Sequence, residues 1–178
     1  MGTTTLLILS LFLLQYSIDQ KHRFLFTQQN SQMFAALPNN PSTQVQIKER
    51  NVRVEVVENF FQAYNSPLFP YAEHVVKTAD KYGLDYRLVP AVAMQESNLC
   101  KKAPSGSHNC WGYGIYGGKI LAFDNYEQAI ETVTKGLFQN YKAVGLVTPQ
   151  EIMTKYTPSN TGRWAFSVEY FMNQLNLF

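Results

Sequence analysis

Residues 83–99 read GLDYRLVPAVAMQESNL. Leu88, Val89, Ala91, Val92, Ala93 and Met94 make this segment apolar nearly all round, which predicts a helix buried among others rather than one lying on a surface. Asp85 stands where it can cap the helix. Pro90 falls within the first turns, where a missing N–H does least harm, and the helix is expected to end near Leu99. Glu96 sits near the C-terminal end of this greasy segment. Burial against apolar neighbours disfavours a carboxylate, and so does the negative end of the helix dipole. Both raise its pKa, as a general acid working at neutral pH requires. The alternative is a Glu96 that faces solvent at the helix end. The helical wheel leaves both open, because Glu96 shares a face with Val92, Ala93 and Leu99.

Working outward, the flanking segments are also helical. Val54, Val57, Phe61 and Tyr64 recur on one helix face from about Arg50 onward, and Asn65-Ser66-Pro67 breaks the pattern. A second helix is expected from about Pro70 to Tyr82, with Ala72, Val75, Val76 and Ala79 inward and Gly83 as a left-handed cap. Downstream of Glu96, residues 100–123 contain Pro104 and five glycines with no helical period, so an irregular lobe is expected there, built either of short strands or of loop. Helical signals resume at Asn125, with Gln128 completing a capping box and Ala129, Ile130, Val133 and Leu137 as the apolar stripe. Gly145 closes that segment. Thr148-Pro149-Gln150-Glu151 repeats the start logic, Tyr156 to Asn160 reads as a loop, and a last helix runs from about Gly162 to Leu175. The fold class is therefore mainly α: a small helical domain over 50–178 with one lobe inserted after the buried helix.

The N-terminal part differs in kind. Leu6 to Leu14 (LLILSLFLL) has the length of a signal-peptide apolar core and is short for a membrane span, so 1–20 is expected to be a signal peptide or signal anchor. No basic residue precedes the run and no A-x-A-like site follows it. Residues 27–43 are rich in Gln, Asn, Ser and Pro, and 21–49 reads as a flexible linker. This predicts an exported protein, extracellular or in the cell envelope, and held at a membrane if the segment is kept. The 178 residues carry 46% hydrophobic and 16% charged residues, which excludes a disordered chain. The formal net charge of +2, with 15 Lys+Arg and 13 Asp+Glu interspersed, offers no field for gripping nucleic acid. Aromatic residues at 14%, with 11 Tyr and 12 Phe, suit a packed core and a groove that stacks on sugar rings.

The stretch YGLDYRLVPAVAMQESN resembles the catalytic-helix signature of the lysozyme superfamily, as found in lytic transglycosylases and endo-β-N-acetylglucosaminidases. NCWGYGI (Asn109 to Ile115) resembles the Asn-aromatic-aromatic-Gly-Ile segment of family-73 glucosaminidases, and FDNYEQAI (Phe123 to Ile130) the turn and helix after it. YTPSNTGRWAFSV (Tyr156 to Val168) resembles the tyrosine loop and final helix that close the groove. The four motifs occur in order over nearly the whole folded part. The resemblance implies an α+β lysozyme-like fold, in which Glu96 protonates the glycosidic oxygen and Tyr156 steadies the oxocarbenium-like transition state or the acetamido group. It places Asn109, Trp111 and Tyr113 along the sugar subsites, together with Gln95 and Ser97 beside the acid. Asn160 joins them, although a structural role is the first reading of both it and Trp164, and Trp111, Tyr113 and Tyr156 also suit packing.

Paired-carboxylate glycosidases need a second acid within about 5–9.5 Å. No Asp or Glu lies between Glu96 and Asp124, so Asp124 is the one candidate at the exit of the lobe; a turn residue before a helix cap is its other reading. A single acid suffices when the 2-acetamido oxygen of the substrate attacks its own anomeric carbon. This favours an N-acetylated glycan such as peptidoglycan or chitin, and we expect a monomer acting on peptidoglycan strands. Hydrolysis, or transglycosylation to a 1,6-anhydro end, would each follow from the same acid. A non-catalytic glycan-binding module on the same scaffold and a small helical interaction domain are the competing classes. Cys100 and Cys110 are expected to form a disulfide in an oxidising compartment. Free thiols, or a zinc site with His108 that lacks a fourth ligand, are the alternatives. No cofactor or metal is implied, since no phosphate-binding glycine loop, nucleophile elbow or HExxH motif occurs.

Overall fold

The computed structural model describes residues 41–114, 119–157 and 161–178. The expected signal segment, the first part of the linker, and Asn160 lie outside the described residues. The chain divides into two units, Met1–Ile47 and Lys48–Phe178. The described residues are mainly helical and contain no strand element. Among the described residues six α-helices follow in order: α1 (Pro41–Ala63), α2 (Ala72–Tyr82), α3 (Leu88–Ser97), α4 (Tyr126–Asn140), α5 (Pro149–Tyr156) and α6 (Arg163–Gln174). Short 3-10 turns occupy Phe69–Tyr71, Lys142–Val144 and Leu175–Leu177.

α1 begins at Pro41, inside the stretch 21–49 read as linker. The physical reason is local. Proline is well suited to a first helical position, and the residues after it include good helix formers (Gln44, Gln46, Lys48, Glu49) with no glycine. Helix can therefore propagate where no apolar stripe is present. The apolar stripe starts further on, where Val57, Phe60 and Phe61 are fully buried. Phe60 was not on the face read from sequence. It packs edge-on against Tyr64 and Phe178, at 5.1 and 5.6 Å between ring centroids. The Arg53–Asp80 ion pair at 2.6 Å ties α1 to α2.

α3 is the hub. Every residue from Leu88 to Met94 is buried, as its all-round apolarity requires. It packs chiefly on α6, while α2 packs on α4 and α5 on α6. The inward faces expected for α2 and α4 are the buried ones: Ala72, Val75, Val76 and Ala79, then Ala129, Ile130, Val133 and Leu137. Gly83 takes φ 63°, and its N–H and that of Leu84 close the end of α2 on Asp80 and Ala79 carbonyls. Asp85 does less than expected. Its carboxylate accepts the Arg87 N–H at 2.9 Å and grips the Arg87 guanidinium, which shapes the turn ahead of α3 instead of capping the helix itself. Arg87 also donates to Asn176, near the C-terminus.

The lobe between α3 and α4 is irregular in its described part, with Lys119 as a single bridge residue. It begins with three consecutive left-handed residues, Asn98, Leu99 and Cys100, at φ 53°, 52° and 73°. Such backbone costs about 1–2 kcal/mol per non-glycine residue and persists only where surroundings hold it. Several ties hold it here. Leu99 is fully buried, Ser66 donates its hydroxyl to the Leu99 carbonyl at 3.1 Å, and Ser97 accepts the Cys100 N–H at 2.9 Å. The Cys100–Cys110 disulfide then closes the turn. The two cysteines therefore stand paired at disulfide distance, as the expected disulfide requires. No helix among the described residues is long and apolar enough to cross a membrane.

Candidate functional site

Five pieces of chain meet around Glu96. The end of α3 carries the carboxyl, the lobe brings Gly112, Tyr113 and Gly114, and the end of α4 brings Asn140 and Tyr141. The end of α5 brings Lys155 and Tyr156, and the first turn of α6 brings Trp164. Between them lies a cleft of about 360 Å³ lined by Glu96, Tyr113, Tyr141, Tyr156 and Lys155 with the two glycines and Asn140. That is the size range of small-ligand sites.

Glu96 is exposed, the solvent-facing one of the two arrangements the sequence left open, although its helix is buried. The side chain keeps an exposed face toward solvent, while protein crowds the carboxyl from the other sides. That desolvation raises its pKa above the ordinary glutamate value, and a hydrogen bond from the Trp164 indole partly opposes the rise. The indole Nε1–H donates to Glu96 Oε1 at 2.7 Å. Trp164 is buried and stacks on Tyr156, with ring centroids 4.8 Å apart and planes at 29°. The Tyr156 hydroxyl donates to the Trp111 carbonyl at 2.8 Å. Trp111 is fully buried and donates its own Nε1–H to the Val89 carbonyl on α3 at 3.0 Å.

The structure brings together three of the residues singled out from sequence: Glu96, Tyr113 and Tyr156 all line the cleft. Tyr156 does so as the last residue of α5, not from a loop, because the capped helix runs that far. Tyr113 is seated by Gly136 of α4, where a Cβ would stand 2.5 Å from the tyrosine oxygen.

Other expected subsite residues are corrected. Asn109 is buried, and its whole amide is committed to the lobe backbone. Its Nδ2 donates to the Tyr113 and Leu121 carbonyls at 2.7 and 2.9 Å, and its Oδ1 accepts the Tyr113 N–H at 3.0 Å. Trp111 is a core side chain with no face left for a sugar. Ser97 is buried and donates to the Cys110 carbonyl at 2.7 Å, tying the helix end to the lobe. Gln95 is half-buried on α3 and is not among the residues lining the cleft. Asp124 is exposed, lies outside that lining, and gives its N–H to the Gln128 side chain at 2.7 Å. It is thus the turn residue before the α4 cap, where Asn125 accepts from the Gln128 N–H.

Trp164 is the site residue that sequence reasoning undervalued. The available signal was chemical: a tryptophan on the inner face of a helix needs an acceptor for its N–H. Among the described residues, no group of three or more His, Cys, Asp or Glu side chains is arranged to hold a metal ion. No protein-family model matches the chain, and no curated protein matches it.

Proposed function

We propose that this chain cleaves β-1,4 glycosidic bonds of an N-acetylated cell-wall glycan, peptidoglycan in the first place, with Glu96 as its one general acid. The observation that carries this reading is the Glu96 carboxyl, the one acid among the described residues lining a cleft walled by tyrosines, with burial by its neighbours favouring the protonated form. A carboxyl so shifted holds its proton closer to neutral pH than an ordinary glutamate does. The rings of Tyr113, Tyr141 and Tyr156 offer apolar surfaces of the kind on which sugars stack. The lysozyme-like resemblance of the sequence motifs points to the same chemistry. The Cys100–Cys110 disulfide suits a protein exported to an oxidising compartment.

Glu96 is the only carboxylate among the described residues that line the cleft. A substrate-assisted route answers that arrangement. Glu96 gives its proton to the glycosidic oxygen as the bond from that oxygen to the anomeric carbon breaks. The carbonyl oxygen of the 2-acetamido group attacks the anomeric carbon from the other face. Water then opens the resulting ring to a reducing end, with its proton returning to Glu96; an internal 6-hydroxyl attacking instead leaves a 1,6-anhydro end. Lys155 at the cleft supports an anionic glycan over a neutral one, since its ammonium can meet the carboxylates carried by peptidoglycan.

Glu96→Gln keeps an oxygen that can accept from Trp164 but cannot act as the acid. It is expected to lower digestion of purified peptidoglycan by about a hundredfold or more. Near-normal digestion by this variant would overturn the mechanism. Wild-type protein that binds the glycan without cutting it would favour the binding-module reading. The activity of the wild type should be present at acidic pH and be lost as pH rises through the raised Glu96 value. Mass spectrometry of the fragments then separates glucosaminidase, muramidase and transglycosylase by the sugar at the new end.

A further inference from the structure

The two oxygens of Glu96 have different surroundings. Oε1 accepts the Trp164 N–H at 2.7 Å. Oε2 is the oxygen that a Cβ placed on Gly112 would approach to 3.5 Å, and Gly112 lines the cleft. An indole nitrogen only donates, and in a neutral carboxyl the carbonyl oxygen is the better acceptor. We propose that Trp164 is a positioning residue that reserves Oε1 as an acceptor and so places the acidic proton on Oε2, beside Gly112 and toward the cleft.

The indole is held for this task by a closed chain of contacts. It stacks on Tyr156, Tyr156 donates to the Trp111 carbonyl, and Trp111 donates back to Val89 of the same helix that carries Glu96. Acid and donor are therefore fixed to one frame. When the proton leaves Oε2, charge develops on the carboxylate and the bond from the indole becomes charge-assisted. An interaction that strengthens along the reaction lowers the barrier, whereas one of constant strength does not. Gly112 contributes by omission. At φ 62° it adopts backbone that side chains resist, and it leaves the space beside Oε2 without a Cβ. The catalytic consequence rests on the glycan-cleaving reading; the proton placement does not.

Trp164→Phe removes the N–H and keeps an aromatic ring. On peptidoglycan its kcat should fall about tenfold or more with KM little changed. The sign of the pH effect follows from the donor favouring the charged carboxylate: without it the Glu96 pKa rises, and the basic limb of the activity profile moves to higher pH. A merely structural Trp164 would lower stability and leave that limb in place, which would overturn the proposal. The second measurement needs no variant of Trp164. In uniformly ¹⁵N-labelled wild-type protein the Trp164 indole resonance should shift with pH as Glu96 titrates, and Glu96→Gln should flatten that response. Trp111, the second of the two tryptophans, donates to a backbone carbonyl and should stay flat. A Trp164 indole signal insensitive to pH in the folded wild type would also overturn the proposal. If no glycan is cut under any condition, the proposed function fails while this titration still tests whether the indole is bonded to the titrating Glu96 carboxyl.

Discussion

The helical frame and the lobe between α3 and α4 are held together by different means. Helix ends in the frame are closed largely by neighbours in sequence. Gly83 closes α2, Asn125 caps α4, and Thr148 with Glu151 forms a full capping box on α5. The lobe has no such repeat. Its backbone groups are met by side chains from elsewhere in the lobe or beyond it: Ser66, Ser97, Ser107 and Asn109. Buried peptide groups must find partners, and where no helix or sheet ladder supplies them, polar side chains do. The comparison teaches that polar residues in a glycine-rich lobe beside a cleft are first of all its scaffold.

The sharpest way to break this comparison is at the disulfide. Replacing both Cys100 and Cys110 by Ser should cost about 3 kcal/mol. The loss should fall on the lobe. Tyr113 and Gly112 should lose their set positions, and turnover should drop, while far-UV circular dichroism retains its helical signal. Equal loss of helix and lobe signals in one step would show that the two regions are not held separately. Asn109→Ala comes next, at about 2 kcal/mol, because two carbonyls and one N–H lose a buried partner. Thermal melting and KM together test its role. A lobe strut lowers the melting temperature; a sugar contact would raise KM and leave melting unchanged.

The same contrast explains what could be read from the chain. The faces of α2 and α4 were legible because burial follows helical period, and α3 because its apolar residues run all round. Glu96 was legible as the charged exception on that helix. Phe60 was missed because it flanks the stripe instead of lying on it. The roles of Asn109, Trp111 and Ser97 were misjudged because residue type alone does not tell a partner in sugar from a partner in backbone. The Trp164–Glu96 bond joins positions 68 residues apart, and no local pattern reports such a contact. The turn 98–100 was equally hidden, since neither Leu99 nor Cys100 is a residue type that advertises left-handed backbone.

The smallest expected effect tests the frame. Thr148 accepts the Glu151 N–H, and the Glu151 carboxylate accepts the Val147 and Thr148 N–H groups at 2.9 Å each. Thr148→Ala should cost about 1 kcal/mol and should speed hydrogen exchange at the first turn of α5. Turnover should hold, because Tyr156 sits at the other end of that helix and is fixed by Trp164 and the Trp111 carbonyl. The N–H groups of Thr148 and Val147 keep the Glu151 carboxyl below its ordinary value. Its share of the cap is therefore present at neutral pH and lost as pH falls through that lowered value. Comparing melts of wild type and Glu151→Gln across acidic pH checks the sign: the two should converge as acid protonates Glu151. A Thr148→Ala variant that moved the Glu96 titration would mean that the cap reaches the cleft, and that the frame is less local than its hydrogen bonds indicate.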